Sequence, residues 1–125
     1  MERASRINSY KDLEIWQRSE AFAVFLYKTT RDFPRIELYA LTNQMRRAAV
    51  SILSNIAEGF RRKSKLEKLQ FLRIAYGSGA ELETQLEISR DLEYLSEDAF
   101  SIISKELDEI MRMTNKTISS LESQT

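Results

Sequence analysis

The sequence holds no histidine and no cysteine among its 125 residues, and only three glycines and one proline. Without cysteine there are no disulfides, thiol nucleophiles or thiolate metal sites. Without histidine the commonest general base and the usual zinc ligand are gone, and so are the Glu-x-x-His pairs of di-iron helical bundles. So few breakers leave little room for the turns that a β or α/β fold requires. No run approaches the roughly 20 apolar residues that span a bilayer, and Met1-Glu-Arg-Ala-Ser-Arg6 is too charged for a secretory leader. No membrane, no metal, no cofactor and a cytoplasmic location are the resulting expectations.

What is present reads as one globular domain over residues 1–125, with 42% hydrophobic and 30% charged residues. Formal net charge is zero, yet residues 1–76 carry 15 Lys and Arg against 8 Asp and Glu, a surplus of +7. Residues 77–125 carry 4 against 11, a deficit of −7. This split points to a bipolar surface, or to halves that attract each other within or between subunits.

Apolar residues recur at spacings of three and four in four stretches, predicting helices over roughly 10–32, 36–59, 65–94 and 97–121. Ser9 with Asp12 and Ser64 with Glu67 read as capping boxes, Ser96 as a third cap, and Gly59 as a left-handed helix end. Breaks this short make sequential helices antiparallel, so the expected fold is an all-α, up-down-up-down four-helix bundle.

The run Ala21-Phe-Ala-Val-Phe-Leu-Tyr27 is apolar around the whole helix circumference, not along one face. Phe22, Val24, Phe25 and Tyr27 are therefore candidates for an interface with further copies of the chain. In the second stretch Arg46, Arg47, Asn55 and Glu58 stand among small and apolar positions. They read either as a polar network fixing helix register or as a pocket for an anionic ligand.

Arg61, Arg62, Lys63, Lys65 and Lys68 cluster at a turn and a helix start. Electrostatic, sequence-tolerant contact with RNA or DNA is one reading; a solvated turn, or a dock for the acidic half of a neighbouring subunit, is the other. Gly77-Ser78-Gly79 lacks phosphate-loop spacing and lies within a helical pattern, which favours close approach by another helix. The acidic run from Glu81 to Glu93 reads as a solvated face. No nucleophile and base stand in a recognisable context, so no catalytic residue is assigned. A helical mutase using Arg46, Arg47 and Glu58 is the remaining enzymatic alternative.

Several segments, taken together, carry a resemblance. They are Asp12-Leu-Glu-Ile-Trp-Gln17, Phe33-Pro34 with Glu37-Leu-Tyr-Ala-Leu41, Gln44-Met-Arg-Arg-Ala-Ala-Val-Ser-Ile52, Asn55-Ile-Ala-Glu-Gly59, and Gly77-Ser78 with Glu81-Leu-Glu-Thr-Gln-Leu86. Over residues 10–95 the chain resembles the four-helix-bundle proteins encoded by intervening sequences in bacterial 23S ribosomal RNA genes, the S23 ribosomal protein-like family. Ala40 departs from that pattern, which usually has glycine there, and Gly79 departs from a position where a larger residue is common. The resemblance implies a ring-shaped homopentamer of poorly defined molecular role. It also implies kinship with the accessory variability proteins of diversity-generating retroelements, which bind reverse transcriptase and nucleic acid. A non-enzymatic oligomeric scaffold is the leading expectation, and a retroelement accessory protein holding reverse transcriptase and RNA is the alternative.

Overall fold

The computed structural model describes residues 7–124, and among them every regular element is helical. Four α-helices follow in order: α1 Glu14–Thr29, α2 Leu41–Arg61, α3 Lys65–Asp91 and α4 Glu97–Glu122. Residues 62–64 and 92–96 are the only links between α2, α3 and α4, so each helix must turn back along the previous one. The tightest pairing is α2 with α3; of the four neighbouring pairs, α1 and α4 meet least.

Helix starts follow local chemistry, with three departures from the sequence reading. The Ser9–Asp12 box forms: Asp12 Oδ2 accepts from Ser9 N at 3.2 Å, and Ser9 Oγ accepts from Lys11 N at 3.1 Å. It closes only a 3-10 turn over Tyr10–Asp12, because Leu13 is extended and α1 starts afresh behind it. The second helix begins at Leu41, later than residue 36. Pro34 precedes a 3-10 turn over Arg35–Glu37, and Ala40 leaves helical geometry before α2 starts. Gly59 is not a left-handed closing residue either. No glycine has positive φ among the described residues, and α2 continues to Arg61. Gly59 is buried against α3, where a Cβ would stand 3.4 Å from the Lys68 carbonyl oxygen and from Phe71 Cβ. Ser64 and Ser96 do cap their helices, accepting from Glu67 N at 3.1 Å and Ala99 N at 3.0 Å.

The core runs the length of the bundle. Phe22 and Leu26 of α1, Met45, Ile52 and Ile56 of α2, Leu82 and Leu86 of α3, and Ile103, Leu107 and Ile110 of α4 are its largest sealed apolar side chains. Gly79 packs directly on α4: a Cβ there would lie 1.9 Å from Met111 Sδ. Gly77, two residues away, has nothing within 4 Å of that position. Close helix approach therefore accounts for one of these glycines and not for the other.

Candidate functional site

The apolar run of α1 divides between inside and outside. Phe22 is only 2% exposed and belongs to the core, so it is removed from the candidate interface. It shares the inward stripe of Ile15, Ser19, Ala23 and Leu26, the positions that repeat every three or four residues. Val24 at 49%, Phe25 at 42% and Tyr27 at 42% remain exposed on α1. Phe25 lies along the α1–α4 seam with Ile102, which is 62% exposed. The seam is spanned by Arg18, whose Nη2 reaches Glu106 Oε1 at 3.0 Å and whose Nη1 approaches Glu109 at 3.8 Å.

The four polar residues of α2 do not converge. Arg46 turns toward α1, with Nε on Thr30 Oγ1 at 3.0 Å, Nη2 on the Tyr27 carbonyl at 3.2 Å and its guanidinium 4.7 Å from the Tyr27 ring centroid. Asn55 Nδ2 donates to the Ser51 carbonyl at 2.8 Å and to Ser51 Oγ at 3.0 Å. Ser51 Oγ in turn lies 2.8 Å from Ser78 Oγ on α3, which carries the chain of contacts across the helix pair. Glu58 faces outward and pairs with Arg62 at 2.7 Å. Arg47 lines a shallow polar depression with Gln44, Ser51, Ser78 and Glu81. These are separate contacts, not one network or one anion pocket. Twelve residues of helix separate Arg46 from Glu58, about 18 Å along the axis at 1.5 Å per residue.

The basic cluster is gathered at one end of the bundle, but most of its charges have local partners. Arg61 stacks on Tyr10 at 5.4 Å, and Arg62 stacks on Phe71 at 4.8 Å while holding Glu58. Lys65 Nζ donates to the Gln124 carbonyl, and Lys68 Nζ donates to the Phe60 carbonyl at 3.2 Å. Lys63 extends from the turn and is exposed. None of the five is buried, so all five leave charge at the surface for a polyanion.

Two contacts went unread in the sequence. Glu37 and Tyr94, 57 positions apart, are hydrogen-bonded at 2.8 Å, and Phe33 packs on the Tyr94 ring with centroids 5.4 Å apart. Ile36 at 85% and Tyr39 at 90% exposure stand out on the α1–α2 connection. The apolar residue types at 36 and 39 are the one sequence signal for this exposed pair.

Among the described residues, no group of His, Cys, Asp or Glu is placed to hold a metal ion, and no helix is long and apolar enough to cross a membrane. A family profile described as 23S rRNA-intervening sequence protein matches residues 11–116. A solved structure from Bacteroides thetaiotaomicron VPI-5482, described as a protein with unknown function from the S23 ribosomal protein family, superimposes with a TM-score of 0.76. The two are 25% identical over 83% of this chain and 97% of that one. No curated protein matches the sequence. With the profile spanning most of the bundle and the same fold recurring in that structure, the chain belongs to the 23S rRNA-intervening sequence protein family.

Proposed function

We propose that the chain acts as a non-enzymatic, homo-oligomeric binding scaffold, a pentameric ring that offers its basic turns to nucleic acid. The supporting observation is the trio Val24, Phe25 and Tyr27, three large apolar side chains exposed together on one helix. Each is already about half covered, so hiding the rest contributes roughly half of the ~1.5–3 kcal/mol of full burial, and a surface that hides all three is favoured. The opposite charges of the two sequence halves add attraction between unlike faces of neighbouring copies. A heterologous contact of that kind closes into a ring when its rotation allows.

The ring repeats the cluster of Arg61, Arg62, Lys63, Lys65 and Lys68 once per subunit, and avidity then multiplies a weak phosphate contact. Light scattering on the purified chain is the first test: a mass near five chains is expected, and a monomer at micromolar concentration refutes the assembly. Labelled RNA titrated at two salt concentrations is the second. Affinity that falls steeply with salt, and falls again for the Arg61→Ala, Arg62→Ala, Lys63→Ala triple variant, supports phosphate contact. Absence of binding at low salt removes it. The mutase alternative gains no support from side chains as dispersed as Arg46, Arg47 and Glu58.

A further inference from the structure

The bundle end that carries the basic turn also contains a cavity of about 510 Å³. Every helix contributes to it: Ile15 from α1, Ile56 and Phe60 from α2, Leu72 from α3 and Leu121 from α4 form an apolar lining. Ile15, Ile56 and Leu72 are core residues, so the floor of this open-mouthed cleft is formed by the bundle's own core. The polar residues along its edge are Lys68, Lys116, Thr117, Ser120 and Gln124. Among the described residues, no carboxylate lines it.

We infer that this cavity binds an amphiphilic anion, a single apolar chain ending in a carboxylate, with the tail among Ile15, Ile56 and Leu72 and the head between Lys68 and Lys116. The volume falls in the range of about 300–1,000 Å³ typical of small-ligand sites, and an apolar lining with a few polar groups is their usual composition. The head-group chemistry follows from charge. Lys116 is one of only four basic residues in the acidic half, and it makes no hydrogen bond or ion pair among the described residues. Lys68 uses one ammonium proton on the Phe60 carbonyl and has two more to give. A neutral alkane would make no use of either ammonium group at the cleft's edge. A cation would be repelled by them.

Decanoate, kept well below its self-association concentration, is the probe. Calorimetric titration into the full chain should show saturable binding of one molecule per chain, with octanoate about tenfold or more weaker, since each methylene contributes roughly fourfold. Lys116→Gln should weaken decanoate about threefold to tenfold and leave decanol unchanged, whereas Lys116→Arg should restore decanoate. Ser120→Phe, an exposed position that fills the mouth, should abolish binding of both probes while the circular dichroism spectrum stays helical. Unsaturable uptake, or no heat and no thermal shift with decanoate, overturns the site. Decanol binding as tightly as decanoate, with Lys116→Gln neutral, overturns the anionic head group.

Discussion

Glu37 uses its two carboxylate oxygens for two different jobs: Oε2 accepts the Tyr94 hydroxyl at 2.8 Å, and Oε1 accepts the first backbone N–H of α2, that of Leu41, at 3.3 Å. One side chain therefore caps α2, whose N-cap residue Ala40 offers no side-chain hydrogen bond, and ties the α1–α2 connection to the α3–α4 turn. The hydrogen bond to Glu37, then burial, then the Glu37 charge push the Tyr94 phenol above its ordinary value. A raised folded value means the contribution is complete below the unfolded phenol range, near pH 10, and is lost as pH climbs through the folded value. Tyr94→Phe should thus lower the melting temperature at pH 7 and flatten the alkaline fall in stability. Glu37→Ala should cost more than Tyr94→Phe, because it removes the cap as well. Thermal melts from pH 7 to 11 read both effects.

Gly77 and Gly79 should respond oppositely to the same substitution. Gly77→Ala meets open space and improves helix propensity, so it should stabilise by up to about 1 kcal/mol. Gly79→Ala must displace the buried Met111 side chain, an overpacking that costs about 1–3 kcal/mol and outweighs the propensity gain. Urea denaturation of the two variants separates the cases.

Glu93 is the one non-glycine residue with positive φ among the described residues, at 63°. It closes α3 while Tyr94 N returns to the Ser89 carbonyl at 2.8 Å. Left-handed geometry strains an L residue, so Glu93→Gly should stabilise by about 0.5–1 kcal/mol after the entropic cost of glycine. A drop in the denaturation midpoint would contradict this.

Burial, and then the neighbouring Asp108 charge, raise the Glu83 carboxyl above its ordinary range. The folded chain accordingly favours the protonated form, and that advantage is lost as pH rises through the folded value. Glu83→Gln should therefore stabilise the protein modestly at pH 7, with the gain shrinking as pH falls and the native carboxyl takes up its proton. Equal effects at both pH values would refute the assignment.

The inner and outer faces of α1 should separate stability from assembly. Phe22→Ala opens the core and should cost about 3–5 kcal/mol in unfolding free energy. Val24→Glu with Phe25→Glu alters exposed positions, so the helical spectrum should persist while light scattering moves to the monomer mass. Unchanged mass would mean that the oligomer, if formed, closes elsewhere.

The four helices were legible because apolar periodicity and two serine caps are local signals: Ser64 and Ser96 open α3 and α4 where their sequence contexts say they should. Helix ends governed by distant contacts were not. No serine or other usual cap marks the start of α2 at position 41, since its capping carboxylate comes from Glu37, itself held by the distant Tyr94. The basic cluster was visible as a run of letters. Its aromatic and carbonyl partners on Tyr10, Phe71, Phe60 and Gln124 depend on how the bundle ends meet.

Residue types and their spacing were enough to determine an all-helical chain, because helix formation and amphipathic stripes follow from neighbours three and four positions apart. Tertiary packing alone decided that Phe22 turns inward while Val24 and Phe25 stay out, that Arg46 and Glu58 never meet, and that Gly79 admits Met111 while Gly77 faces open space. A hydrophobic run states how much surface wants cover; which side chains receive it depends on where the other helices stand.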